Sequence, residues 1–521
     1  MSGGMRPFLA VWALLAMLSV CWAFATPISA SPDEPAHLVR AASVARGEWV
    51  GTPSPDGHLV SVPGYVARTQ QTTCFAFHPE LSADCPAAAG APQDDDTTTA
   101  ATTAGLYNPV FYLAVGWPTL LLHDDSGIYA MRVVGALLTS LFAALAFAVL
   151  WRLPQRRAVV LGFAVGVTPA LLFLGGSVNP NGLEATTTLA VFAAMIAAVL
   201  DPDPARLPRR AALVAVAGAV AVNTRGLSPL WVLLAIALPL ILAGRDRFAE
   251  LFRRRSTWIA AAVVVVATIA AAGWTFGSNS LLNSVENPES TPQSYPGTGT
   301  NPLSGFWVTL VRTIEYAHGV VGLFGWLDTP APPEVFFVWA ALVGALLLAA
   351  FTLLRGRRLA FAAAVLGLFV VLPPVLQAAY ITGGGIIWQG RYAMPLFLCL
   401  VIGLAVVLGE VVRPDAAASW WRRLTAIVVV AIAASQFYSF ENTLRRYAVG
   451  EDGSLKVFLL GAPPWSPPGG TLLWLALAAA TTAAGAWLAI RALRRSEATV
   501  AAPAPETAVG DVPPKAQTQQ P

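Results

Sequence analysis

Charge is what this 521-residue chain has least of. Only 12% of its residues are Asp, Glu, Lys or Arg, about half the density of an ordinary soluble domain. Lysine is nearly absent: Lys456 and Lys515 are the only two, so 30 of the 32 basic residues are arginine. The net charge is +3, which leaves no basic face for nucleic acid and excludes that class of partner. Four cysteines and five histidines, none at a metal-ligand spacing, exclude a zinc centre. The Gly383-Gly384-Gly385 run is too short and in the wrong setting for a nucleotide-binding loop. In place of charge stand apolar residues, 56% of the chain, with a mean hydropathy of +0.62. Several uninterrupted runs reach the roughly 20 residues that cross a bilayer. The chain reads as a polytopic membrane protein.

Twelve apolar segments are expected as helices, near 8–30, 127–151, 158–176, 182–200, 211–222, 227–243, 257–276, 333–354, 359–380, 391–411, 424–440 and 470–490. The pair 211–222 and 227–243 is the weakest, being short and split by Asn223-Thr224-Arg225. A further stretch, 107–122, contains Asn108, Pro109 and Pro118 and reads as a helix lying in the interface. With a cytoplasmic N-terminus, the cytoplasmic connections collect 21 arginines and Lys515, leaving 10 basic residues elsewhere. That is a strong positive-inside bias, and it places both termini in the cytoplasm of a multi-pass inner-membrane protein. Ser29-Ala30 resembles a signal-peptide cleavage site, but the first segment is read as a retained span.

Residues 1–495 are expected to form one membrane domain. Three loops face outside: 31–106, 277–332 and 441–469. The tail 496–521 is rich in Ala, Pro, Thr, Glu and Gln and is expected to be disordered and cytoplasmic. Cys74 and Cys85 share the first outside loop with ten residues between them, so an oxidising face should pair them. Cys21 and Cys399 lie in spans as packing residues.

Several polar groups stand out. Asp33 and Glu34 follow the first span directly, stiffened by Pro32 and Pro35. A carboxylate at the membrane surface against an apolar wall has a raised proton affinity and can act as a base; the same acids could simply cap the following helix. His37 and Arg40 fall on one side of that helix. Gln389, Arg391 and Tyr392 open a late span, where an arginine can hold a phosphate or merely anchor the interface. Arg225 in the break near membrane depth suits a cavity or an ionic partner. Glu184, after the Asn179-Pro180-Asn181 turn, is expected as a helix cap. Arg312 is a further candidate, although Glu315 three residues on could pair with it. Asp94-Asp95-Asp96 reads as a solvated acidic tip.

Ser31-Pro-Asp-Glu-Pro-Ala-His37 resembles the opening signature of a bacterial membrane family, domain of unknown function 2142. Gln389-Gly-Arg-Tyr392 with Pro395 resembles its late signature. Leu106–Tyr112 is similar to its apolar-aromatic segment, and Ala221–Arg225 to its break, with Arg where Lys is usual. That family in turn looks like the GT-C superfamily of integral-membrane glycosyltransferases. The resemblance implies an all-α fold of about 12 transmembrane helices with a large first extracytoplasmic loop bearing interfacial helices. It implies a sugar donor on a polyprenyl phosphate and an envelope glycan, lipid or protein as acceptor. It implies Asp33 or Glu34 as the acid acting on the acceptor. His37, Arg40, Arg225, Arg312, Gln389, Arg391 and Tyr392 are the substrate-binding candidates. Some such relatives use a divalent cation, Mg or Mn, and no ligand triad here commits the chain to one. Asn179 and Asn181 stand where the family would carry an acid. A transporter or flippase of a lipid-linked intermediate, or a lipid-glycan-binding scaffold, are the competing readings.

Overall fold

The computed structural model describes residues 2–86, 92–94, 96–280, 296–412 and 419–501. Helix α1 (Ser2–Ala25) leads into the first loop. That loop holds α2 (Glu34–Ala45), strands β1 (Thr52–Ser54) and β2 (Gly57–Pro63), the single turn α3 (Gly64–Ala67) and β3 (Thr97–Thr102). Then come α4 (Pro109–Gly116), α5 (Asp125–Leu150), α6 (Arg156–Gly166), α7 (Pro169–Gly175) and α8 (Pro180–Leu200). Next are α9 (Leu207–Val222), α10 (Ser228–Leu240), α11 (Arg245–Arg253) and α12 (Arg255–Gly277). The second loop contributes α13 (Pro302–Val311), α14 (Thr313–Gly322) and a strand pair, β4 (Leu323–Phe324) and β5 (Thr329–Pro330). The chain continues through α15 (Pro333–Leu353), α16 (Gly356–Gly384), α17 (Met394–Val411), α18 (Ser419–Val449), α19 (Leu455–Leu460) and α20 (Thr471–Ala501).

All twelve expected apolar segments are helical. Nine helices among the described residues, α1, α5, α8, α12, α15, α16, α17, α18 and α20, are long and apolar enough to cross a bilayer. The expected span 158–176 is instead the pair α6 and α7, bent by 71°. Pro169 explains the bend: it removes a backbone donor, and the Thr168 hydroxyl caps the new helix by accepting from the Leu171 N–H at 3.2 Å. The weak pair became α9, of 16 residues, and α10, of 13. At 1.5 Å per residue they rise only about 24 Å and 20 Å, against a hydrocarbon core of about 30 Å. Arg206, Arg209 and Arg210 stand where α9 begins and Arg245 follows the end of α10, so α9 starts from the arginine-rich face and α10 returns to it. The Asn223–Leu227 break between them therefore stops short of the opposite, loop-bearing face.

Helix α8 is the hub. Its apolar and small residues are buried on every side, and it packs against α5, α9, α10 and α17. A helix apolar all round belongs in a core. By contrast α12 and α15 are mostly uncovered and form the lipid-facing rim. The first loop bears helices, as expected, and strands besides. It carries a three-stranded antiparallel sheet in the order β1-β2-β3, with Val60 opposite Ala100. In β2, His58, Val60 and Val62 face inward while Leu59 and Ser61 face out, the period-2 pattern of a half-buried strand.

Two boundaries also shift. Helix α18 runs nine residues into the expected third loop because Leu444, Tyr447 and Ala448 are buried there. Helix α20 reaches Ala501, into the expected tail; residues 502–521 lie outside the described residues. Asp95 lies outside them too, whereas Asp94 pairs with Arg68 and Asp96 accepts from the Gln93 N–H.

Candidate functional site

The turn after α1 aims two adjacent carboxylates in different directions. Asp33 adopts a left-handed backbone, φ 61°, a conformation that costs a non-glycine residue about 1–3 kcal/mol and that Asp tolerates better than most. It occupies the N-cap position of α2, yet its side chain makes no capping bond. The capping reading fails for Asp33. Its Oδ2 instead accepts from Arg391 Nη2 at 2.5 Å, joining positions 358 residues apart. Glu34 turns inward and is fully buried. Both its oxygens accept from Arg132, at 2.8 and 2.6 Å, and Oε1 also accepts from the Val178 N–H at 3.0 Å. Arg132 donates further to the carbonyls of Ala23, Thr26 and Pro27. Glu34 and Arg132 are thus a closed structural pair that fixes the turn, and Asp33 is the acid left facing the site.

The Asn179–Asn181 turn supports the same point. Asn179 caps α8 by accepting from the Asn181 N–H, and its Nδ2 donates to the Pro32 carbonyl at 3.0 Å. Asn181 Oδ1 accepts from Arg225 Nη1. Glu184 is not the cap of α8. It is buried beneath Arg225, 3.9 Å from its guanidinium, and accepts from Ser228 Oγ at 2.6 Å. Arg225 therefore sits in the α9–α10 break with a buried counter-charge, as a charge near membrane depth requires. Its guanidinium lies 4.7 Å from the centre of the Tyr392 ring, and that of Arg391 lies 5.2 Å from the same ring. One aromatic ring thus serves two cations.

Arg391 is 4% exposed, and its Nε and Nη1 have no hydrogen-bond partner. Buried donors are normally paired, so two unfilled donors on one guanidinium mark a place for an acceptor. Gln389 Oε1 is likewise buried and unpartnered. Two features hold this strip. Gln377, in α16, accepts from the Ile387 and Trp388 N–H groups at 3.1 and 2.8 Å and donates to the Gly385 carbonyl at 2.7 Å. Gly390 presses against Gly319 of α14 and the Tyr316 carbonyl, where no Cβ would fit.

Other candidates are placed differently. His37 is buried, with Nδ1 2.8 Å from the Tyr112 hydroxyl. Burial pushes its pKa down to about 3; Asp33 opposes this, and Arg225 and Arg391 add to it, so the ring is neutral. Arg40 donates through Nη1 and Nη2 to the carbonyls of Trp49 and Tyr107, at 2.6 and 2.8 Å, bracing the loop, while its buried Nε has no partner. Arg312 is on the surface at the α13–α14 junction, 3.8 Å from Glu315; the structure does not bring it into contact with Asp33, Arg225 or Arg391. Cys74 and Cys85 form a disulfide. The turn they close is seated on Arg446, which donates to the carbonyl of Phe75 at 2.7 Å and lies 3.3 Å from Asp328. Next to it, Tyr447 donates to the Ala30 carbonyl and Trp326 to that of Ser29. The outer loops therefore converge on the turn that carries Asp33.

The electrostatics differ from expectation. About half of the Asp33 side chain, 53%, faces open space within the site. Its burial among protein atoms would raise its pKa, but the Arg391 guanidinium, by its charge and its hydrogen bond, and Arg225 outweigh that, and the carboxyl lies below its ordinary value. Asp33 is thus ionised at neutral pH, not of raised proton affinity. Burial pushes the Tyr107 phenol up to about 12, so it stays protonated. Among the described residues no three His, Cys, Asp or Glu side chains meet in a way that could hold a metal ion. The donor set among the described residues does not fit a divalent cation. What the group offers is a carboxylate, two guanidiniums, one of which keeps unfilled donors, and an aromatic face between them.

The family described as "Predicted membrane protein (DUF2142)" matches residues 15–401, which include Asp33, Arg225 and Arg391. The chain belongs to this family. No curated protein matches it. Two solved structures are similar to this DUF2142 protein, both of ArnT from Cupriavidus metallidurans. One is in the apo state and the other is bound to undecaprenyl phosphate. Each is 16% identical with a TM-score of 0.44. The matches cover 95% and 96% of this chain and 77% and 78% of ArnT. A likeness at that level transfers no chemistry.

Proposed function

We propose that this DUF2142 protein is a membrane glycosyltransferase. It would move a sugar from a polyprenyl-phosphate carrier to an envelope glycan, lipid or protein on the extracytoplasmic face of the inner membrane, with both termini in the cytoplasm. One observation carries the reading: Arg391 is buried, holds Asp33, and keeps two donors unfilled beside a second arginine. The resemblance of its signatures to the GT-C superfamily points the same way.

The chemistry follows from the charges. A carrier phosphate entering between Arg225 and Arg391 fills the unpaired donors by charge-assisted hydrogen bonds. Its negative charge offsets the arginines that hold the Asp33 pKa down, so proton affinity at Asp33 rises as the donor binds. The acceptor hydroxyl attacks the anomeric carbon and its proton passes to Asp33. The bond from that carbon to the phosphate oxygen breaks, and the electron pair leaves on the polyprenyl phosphate. The two guanidiniums stabilise the growing charge. Direct displacement inverts the anomeric centre. Glu34 takes no part, because Arg132 occupies it.

The test is the glycan and glycolipid profile of the envelope in a deletion strain carrying either the native gene or Asp33→Asn, at matched membrane levels. Loss of one sugar in the Asp33→Asn strain, restored by the native gene, upholds the reading and names the product. A full profile with Asp33→Asn overturns it and returns transport and scaffolding to first place.

A further inference from the structure

A cationic cavity lies at the opposite end of the bundle. It has a volume of about 330 Å³ and is lined by Leu200, Leu242, Arg355, Arg357, Arg358 and Glu410. The lining comes from the chain just past α10, from the ends of α8 and α17, and from the start of α16, all on the arginine-rich face. The charge balance is three arginines against one acid. Glu410 is already engaged, 3.0 Å from Arg358 Nε. Arg355 donates to the carbonyls of Thr352 and Leu354, which holds its guanidinium beside the helix ends. Arg357 lies against the α10–α11 turn, 3.0 Å from where a Cβ on residue 244 would stand, and a glycine occupies that position. Two leucines complete the wall, so the cavity is both cationic and partly apolar.

We propose that this cavity seats the phosphate of an anionic phospholipid, such as phosphatidylglycerol, drawn from the surrounding bilayer. Arginines lying on helix ends attract acidic lipids generally; a recess among several helix ends gives a phosphate somewhere to sit. The leucine wall and the bilayer-edge position favour a lipid head group over a free anion in solution. The consequence reaches the other face. Helix α8 carries Asn181 and Glu184 near its far end, α10 begins beside Arg225, and α17 begins beside Arg391 and Tyr392. A lipid bridging their near ends restrains three of the elements that build the opposite group. The assignment does not depend on the glycosyltransferase reading.

The experiment uses the full chain in a neutral detergent, titrated with phosphatidylglycerol and, separately, with phosphatidylcholine. Retained lipid is counted by native mass spectrometry and the unfolding temperature is followed. Phosphatidylglycerol should be retained preferentially and raise the unfolding temperature. Arg357→Gln should weaken its binding about fivefold, the effect of one basic residue near an acidic surface. Arg245→Gln, an exposed charge on the same face that does not line the cavity, should leave binding close to native. Equal retention of the two lipids overturns the proposal. So does equal loss in the Arg357→Gln and Arg245→Gln variants. Displacement of the lipid by millimolar inorganic phosphate would reassign the cavity to a free anion and overturn the lipid assignment. Unfolding temperatures without lipid show whether each variant is folded, so a misfolded Arg357→Gln is replaced by Arg357→Lys with phosphatidylglycerol binding expected near native.

Discussion

Replacing Glu34 by Gln should destabilise the protein, while replacing Asp33 by Asn should spare the fold and stop turnover. The two acids are neighbours in sequence but differ in surroundings. Glu34 and Arg132 are both fully buried and hydrogen-bonded to each other. Removing one partner of a buried pair leaves an uncompensated charge, at a cost of about 3–5 kcal/mol. Gln keeps one acceptor oxygen, and three backbone carbonyls still hold Arg132. The Glu34→Gln cost should therefore lie near about 3 kcal/mol, and Glu34→Ala near the upper end. Asp33 is half exposed, so solvent screens its pair with Arg391 and the stability loss in Asp33→Asn should be at most about 1 kcal/mol. Its loss as a base should reduce transfer by about 10²–10⁴-fold. Thermal unfolding in detergent and transfer from a synthetic polyprenyl-phosphate sugar measure the two effects separately. Glu34→Gln with native stability would refute the closed-pair reasoning, and Asp33→Asn with native transfer would refute the assignment of the base.

Arg391→Lys keeps the charge but loses the planar fork. Losing one or two charged hydrogen bonds, about 1.5–3 kcal/mol, should weaken polyprenyl-phosphate binding by at least tenfold in a direct binding assay. Burial depresses the His37 pKa to about 3, from an unfolded value near 6.5, so the unfolded chain binds more protons between those limits. Its contribution to stability should be complete above pH 6.5 and decline below it, by at most about 1.4 kcal/mol per pH unit. His37→Gln should flatten the pH dependence of the unfolding temperature between pH 7.5 and 5, and an unchanged slope would remove His37 from the account. Gly390→Ala should push the Arg391 strip away from α14, lowering both stability and phosphate binding, whereas Gly344→Ala, a site with open space around it, should change neither.

Much of the architecture was legible because hydropathy reports directly on which segments prefer lipid. The twelve segments are all helices. Their lengths were less legible, since Pro169 divided one and the α9–α10 pair stayed short. The sheet escaped because β3 is a run of Thr and Ala with little contrast between its faces. Within the site, Asp33, Arg225 and Arg391 were singled out by being charges beside apolar segments. Sequence could not show that Asp33 meets Arg391 across 358 positions. Nor could it separate Asp33 from Glu34, because that depends on a left-handed turn. Arg132 was passed over although it is the single charge in the expected segment 127–151, and a lone charge there is a signal that a buried partner exists. Gln377 carried no such mark, because an amide beside prolines in a long apolar helix looks incidental until its backbone partners are seen.

The shortness of α9 and α10 has a bearing on how the two arginines are spaced. Arg225 stands on a break between helices, so its side chain is fixed by contacts across to other elements: Asn181 and Glu184 of α8 on one side and the Tyr392 ring on the other. Any shift of α8 against the strip that opens α17 would change the separation of the Arg225 and Arg391 guanidiniums. Two truncated helices thus hang the span of the cationic pair on the packing of two full-length ones, and a substitution where α8 meets α17 would be felt at Arg225 without touching it.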